Sequence, residues 1–202
     1  MRPSTRRAFV AGPAGRLECA IDGPAGDASG IALIAHPHPQ FGGTLDNKVV
    51  QTLARAFVEL GCVALRPNFR GVGASEGVYD EGRGEVEDLA AVLDWGRREF
   101  GALPVALAGF SFGAAMQARL AARAAPQRMA LVGVAAGSFE VPAVPPDTLV
   151  IHGEQDETVP LAAVLAWARP QELPVVVVPG ADHFFHRKLP VLRAIVRQRW
   201  GR

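Results

Sequence analysis

The stretch Pro104-Val105-Ala106-Leu107-Ala108-Gly109-Phe110-Ser111-Phe112-Gly113-Ala114-Ala115 decides the fold. An apolar run of strand length meets Gly-x-Ser-x-Gly, and an alanine-rich segment of helical composition, Phe112 to Ala125, follows at once. A tight strand–turn–helix of this kind holds the serine hydroxyl exposed and aims the helix N-terminus at it. The two glycines leave room for the strained turn. With 22 glycines in 202 residues, two glycines spaced around a serine are by themselves weak evidence. A second match, Gly73-Ala74-Ser75-Glu76-Gly77, indeed occurs. Ser75 has no apolar run before it and no helical segment after it, and reads as loop. Ser111 is the candidate nucleophile.

On either side of this stretch, short apolar runs alternate with segments of helical period, the pattern of a mostly parallel sheet covered on both faces. Residues 7–11 and 16–21, split by Gly12-Pro13-Ala14-Gly15, predict an opening antiparallel hairpin. Strands are expected at Ile31–Ala35, Cys62–Leu65, Pro104–Ala108, Met129–Ala135, Thr148–Ile151 and Val175–Val178. One helix follows Asn47 and stops at Gly61. Another runs from Glu85 to Phe100 with Val86, Leu89, Ala90, Leu93 and Arg97 on one stripe. Further helices are expected at Leu161–Ala168 and from about Leu189 to Trp200. No repeat or linker divides the chain, so residues 1–202 read as one α/β domain. Such a length buries about 70% of the surface exposed by the unfolded chain.

Hydrophobic residues are 49% and charged residues 20%, with a net charge of +1. A balance so near zero argues against a nucleic-acid partner. The arginine-rich tail, Arg187 to Arg202, reads as the solvated face of the last helix. No run approaches the ~18 apolar residues of a membrane span. No signal-peptide core follows the basic start Met1-Arg2-Pro3-Ser4, so a soluble, cytoplasmic protein is expected. Cys19 and Cys62 form no ligand pattern and read as buried thiols. Nothing points to a cofactor, and no feature speaks to oligomeric state.

A serine hydroxyl needs an adjacent base, and the base needs an orienting acid. There are five histidines. His183, in Pro179-Gly180-Ala181-Asp182-His183, lies just past the final strand, where working groups gather in parallel sheets. His186 is expected to enter the last helix. Asp156 in His152-Gly153-Glu154-Gln155-Asp156 is the favoured acid, with Glu154 and Asp182 as competitors. Oxyanion donors are expected from the backbone N–H of Phe112 and, in the loop His36-Pro37-His38-Pro39-Gln40-Phe41, from that of His38, because the prolines have none. His36-x-His38 is also a metal-ligand spacing, but no further ligand cluster accompanies it, and no metal is expected. His36 is expected to pack and hydrogen-bond within its turn. Arg70-Gly71-Val72-Gly73 lacks the residues of a phosphate loop and reads as a turn. Phe41, Phe69, Phe110, Phe139 and Phe184 are candidate pocket walls.

These blocks, in the order Ser111, Asp156, His183, resemble the α/β-hydrolase superfamily. Within it they are similar to the small lidless bacterial hydrolases near dienelactone hydrolase and serine aminopeptidase-like domains. The likeness rests on His36–Pro39, Arg70–Ser75, Gly109–Gly113, His152–Asp156 and Gly180–His183, and covers the chain from about Ile31 to its end. It implies an acyl-enzyme on Ser111, with His183 and Asp156 as base and acid. Pro37 replaces the glycine that many members carry after the first histidine. Ser111 stands where dienelactone hydrolases look to cysteine and where dehalogenases use aspartate. Gly137 to Asp147 is too short for a cap. The expected function is hydrolysis of carboxylic esters of small acyl groups, or of thioesters or amides. The alternatives are a peptidase-like hydrolase and a non-catalytic binding protein of the same fold.

Overall fold

A computed structural model describes residues 5–201. The ends of the basic start (residues 1–4) and of the arginine tail (residue 202) therefore lie outside the described residues. The apolar runs become strands β1 (Thr5–Gly12), β2 (Gly15–Asp22), β3 (Gly30–Ala35), β4 (Cys62–Pro67), β5 (Val105–Phe110), β6 (Arg128–Val132), β7 (Leu149–Gly153) and β8 (Val175–Val178). They form one sheet in the order β1-β2-β4-β3-β5-β6-β7-β8. The β1–β2 and β2–β4 pairs are antiparallel and all others parallel. The helices are α1 (Lys48–Glu59), α2 (Arg83–Phe100), α3 (Phe112–Ala124), α4 (Leu161–Ala168) and α5 (Leu189–Trp200).

Two-residue periodicity divides the core. In β3, Ile31, Leu33 and Ala35 join Leu89 and Val92 of α2 and Met116 and Leu120 of α3 on one face. Ala32 and Ile34 join Leu53 and Phe57 of α1 and Leu192 and Val196 of α5 on the other. Strand β3 lies between β4 and β5, so the chain reverses its direction of travel across the sheet at β3. Clefts form at the carboxyl ends of strands beside such a reversal, and β5 ends there on Phe110, one residue before Ser111. Gly137 to Asp147 contains no helix, and among the described residues there is no cap domain. Among the described residues no helix is long and apolar enough to cross a membrane.

Two expectations need correction. The buried stripe of α2 is Glu85, Asp88, Leu89, Val92, Leu93 and Gly96, while Val86, Ala90 and Arg97 are only partly covered. Two acids face inward because each has partners there. Asp88 accepts from the Arg70 N–H and Nε, and Glu85 closes the N-terminus of α2 by accepting from the N–H groups of Asp80 and Gly82. Strand β6 stops at Val132 rather than Ala135, since Gly133 turns the chain with φ of 52°. The arginines of α5 lie on its solvated face as expected, where Arg193 and Arg197 pair with Glu59 of α1.

Arg70 and Asp88 form a buried ion pair at 2.8 Å, and Arg70 Nη2 also donates to the Gly84 carbonyl. Removing one partner of such a pair strands the other charge. Asp88→Ala is expected to lower stability by about 3–5 kcal/mol in urea unfolding; a loss below about 1 kcal/mol contradicts this assignment.

Candidate active site

Ser111 sits between β5 and α3 with φ of 55° and ψ of −117°, a conformation costly for any residue with a Cβ. Its N–H donates to the Val132 carbonyl, and its own carbonyl accepts from Ala114 and Ala115, so the surrounding backbone holds the strain. A Cβ on Gly109 would lie 2.5 Å from the Gly113 oxygen. A Cβ on Gly113 would collide with the Ala35 and His36 carbonyls. Both glycines are therefore required by close backbone approach. Deeper in α3, Gln117 Nε2 donates to the carbonyls of Leu33 and Ala108, which ties the helix to β3 and β5.

Ser111 Oγ lies 3.1 Å from His183 Nε2, and His183 Nδ1 lies 2.7 Å from Asp156 Oδ2. The carboxylate fixes the tautomer: Nδ1–H donates to Asp156, leaving the Nε2 lone pair to accept from the Ser111 hydroxyl. Asp156 Oδ1 also accepts from the N–H groups of Thr158 and Val159. Burial pushes the Asp156 carboxyl up, but the bonds from His183 and Val159 outweigh it and hold the group below the usual carboxylate range.

The competitors are engaged elsewhere. Asp182 pairs with His186 at 2.6 Å, and Glu154 accepts from the Gly180 N–H. His186 precedes α5 instead of entering it, because that helix begins at Leu189. Ser75 is buried, donating to the Asn68 carbonyl and accepting from the Glu18 N–H. Its loop is a turn built on Gly71, Gly73 and Gly77, all with positive φ.

The loop after β3 uses its two histidines separately. His36 is fully buried, donates from Nδ1 to the Pro37 carbonyl and accepts the Phe69 N–H at Nε2. His38 Nδ1 accepts the Gln40 N–H, so its neutral ring carries the proton on Nε2 and donates it to Tyr79 Oη at 3.1 Å. Burial lowers the His38 pKa, which favours that neutral form. Among the described residues, the backbone N–H groups of Phe112 and His38 meet no protein acceptor. The His38 ring stands among Phe41, Tyr79, Phe112 and Phe139 at centroid distances of 4.7–5.8 Å.

Two of the expected pocket walls lie beneath the site rather than around it. Phe69 is packed against His36 and Phe112, and Phe110 against His183; both are fully buried. Phe41, Phe139 and Phe184 stand at the rim, Phe41 being 85% exposed. Tyr79 and His152 are the residues sequence reasoning missed. Tyr79 lies in a glycine-rich loop without periodicity, and its only signal is being the one tyrosine, in the loop that leaves a parallel strand. His152 is fully buried, donates from Nε2 to the Val159 carbonyl and stands 3.6 Å from Asp156 Oδ2, bracing the acid from behind.

Fold and site together define an α/β serine hydrolase. Residues 16–143 match the X-Pro dipeptidyl-peptidase (S15) family, and the chain belongs to it. A lidless α/β serine hydrolase from Xanthomonas campestris is 38% identical with a TM-score of 0.92, over 98% of this chain and 94% of that one. An α/β serine hydrolase homologue from Coxiella burnetii is 42% identical with a TM-score of 0.87, over 96% of both chains. An uncharacterized protein of Rickettsia prowazekii (strain Madrid E) is 41% identical over 116 residues, 57% of this chain. That match spans about half, 49%, of the Rickettsia protein.

Burial lowers the His36 pKa from 6.5 to about 4, outweighing the opposing pull of the Pro37 carbonyl, and the Phe69 N–H occupies the lone pair that would take the proton. The unfolded chain therefore binds this proton first as pH falls. The contribution is complete above pH 6.5 and declines through the window down to about 4. It amounts to on the order of 3 kcal/mol. Urea unfolding at several pH values should show this slope in the wild type and a flatter one in His36→Gln; equal slopes contradict it.

Proposed function

We propose that Ser111 attacks the carbonyl of a small carboxylic ester, thioester or amide, with His183 as general base and Asp156 as its orienting acid. The observation that carries this reading is the continuous relay Asp156–His183–Ser111, with both contacts inside hydrogen-bond range. His183 takes the hydroxyl proton as the Oγ–carbon bond forms. The oxyanion is held by the backbone N–H groups of Phe112 and His38. His183 then returns the proton to the leaving group, and water repeats the sequence to release the acid and restore Ser111. Asp156 stays ionised throughout and stabilises the imidazolium. Tyr79 and the Pro37–Pro39 frame fix the His38 loop, so the second donor is in place before substrate arrives. Phe41, Phe139 and Phe184 form the rim of an uncapped cleft, which suits small acyl groups.

Peptide-bond cleavage is the second reading, favoured by the S15 match. A dipeptidyl-peptidase needs an anion near the site for the substrate's terminal ammonium, and the nearby acids Glu154 and Asp182 already have partners. Ester cleavage is therefore placed first.

A fluorophosphonate should label the wild type and Ser75→Ala but not Ser111→Ala. Ser111→Ala or His183→Ala should cut p-nitrophenyl acetate turnover by about 10⁴-fold or more, and Asp156→Asn by on the order of 10³ to 10⁴. Label retained in Ser111→Ala rejects the assignment. Faster cleavage of an Xaa-Pro p-nitroanilide than of the acetate moves the function to peptides.

A further inference from the structure

Two loops leave a cavity of about 510 Å³ that reaches the relay through Phe184, lined by Gly42, Thr44 and Lys48 on one side and Phe184, His186 and Arg187 on the other, with Asp46 also in its wall. A larger cavity, about 860 Å³, opens among Ser29, Glu59, Arg128 and Trp200, at the amino ends of the strands and remote from Ser111. The smaller one adjoins the chemistry. Phe184 is its aromatic wall, and the same ring meets His183 edge-on at 5.1 Å.

The charges in this cavity do not cancel. Asp46 is taken up by Arg7 at 2.8 Å and Arg66 at 3.6 Å, and His186 by Asp182. Among the described residues Lys48 and Arg187 form no ion pair. Lys48 is not where local electrostatics would put it. Lys48 is the first residue of α1, where the helix dipole disfavours positive charge. Two exposed cations without an ion pair line one cavity, one of them against the helix dipole, and together they suit an anionic ligand.

We infer that this cavity is a subsite for a leaving group carrying a carboxylate, seated against Phe184 and between Lys48 and Arg187. The inference rests on the serine-hydrolase reading above. In that reading the leaving oxygen must lie at His183 Nε2 to receive its proton, and Phe184, whose ring meets that of His183, links the relay to the cavity. A ring bearing a para carboxylate carries its charge one ring's length beyond the ester oxygen, into the cavity. The acetyl group passes to Ser111 and then to water, and 4-hydroxybenzoate departs with the proton from His183.

The test compares the acetyl ester of 4-hydroxybenzoate with that of methyl 4-hydroxybenzoate. The neutral ester has the more activated leaving group, so intrinsic reactivity works against the expected order. The wild type should favour the carboxylate ester in kcat/KM by about fivefold, the scale of two partly exposed ion contacts. That ratio should shrink in high salt. In Lys48→Gln/Arg187→Gln it should fall to about one or below, and because it is a ratio within one protein, any general loss of folded enzyme cancels. If Ser111 labels and both esters are cleaved without preference, or the double variant keeps the wild-type ratio, the subsite is rejected and the hydrolase reading stands. If neither ester is cleaved and Ser111 does not label, both fall.

Discussion

The approach of α3 to the carboxyl ends of β3 and β5 is the constraint on which the rest depends. The helix begins so close above the sheet that no side chain fits at Gly109 or Gly113. That closeness forces Ser111 into a left-handed backbone, lifts its hydroxyl out of the core and leaves the Phe112 N–H free at the helix start. A looser junction would relieve the strain and lose the geometry. The strain, of order 1–3 kcal/mol at one residue, is tolerable because two apolar faces and an eight-stranded ladder surround it.

Around that junction, buried polar groups act as spacers whose partners are all backbone or charged. His36 links the loop after β3 to Phe69. Arg66 holds β4 to Asp22 and to the Leu45 carbonyl. Arg70 and Asp88 fasten the loop after β4 to α2. Hydrophobic burial would keep these segments compact but is non-directional. Directed bonds are what fix the loop carrying His38 relative to the one carrying Tyr79. The two histidines of that loop, neutral and of opposite tautomer, each satisfy one donor and one acceptor, a use that excludes sharing a metal between them in this arrangement.

What was legible in the sequence followed from periodicity and from position along parallel strands. Buried strands write continuous apolar runs, so β3, β4 and β5 were found within a few residues, and a serine, an acid and a histidine each placed just after a strand could be nominated in advance. Where a tertiary partner overrides local composition, the reading failed. Glu85 and Asp88 look like solvent positions until Arg70 and the Asp80–Gly82 turn supply their bonds. Gly133 cuts β6 short inside an apolar run because its backbone turns with a φ of 52°, a conformation that side chains rarely adopt. Tyr79 and His152 act through contacts across 41 and 4 residues respectively, and no local pattern marks either one.

Without a cap, selection among substrates falls to the loops themselves, and the relay sorts those loops into two sides. In the proposed mechanism the Phe112 and His38 N–H groups define where the carbonyl oxygen points, and the aromatic group of Phe41, Tyr79, Phe112 and Phe139 surrounds the His38 ring on that side. His183 defines where the leaving atom must stand, and Phe184 continues that wall outward. The first side is apolar and offers little beyond shape, where a methylene is worth only ~1–3 kcal/mol of discrimination. The second side carries unpaired charge. Under the proposed mechanism, shape alone would sort what is transferred to Ser111, whereas charge would sort what departs, so the departing group is where these loops would discriminate most.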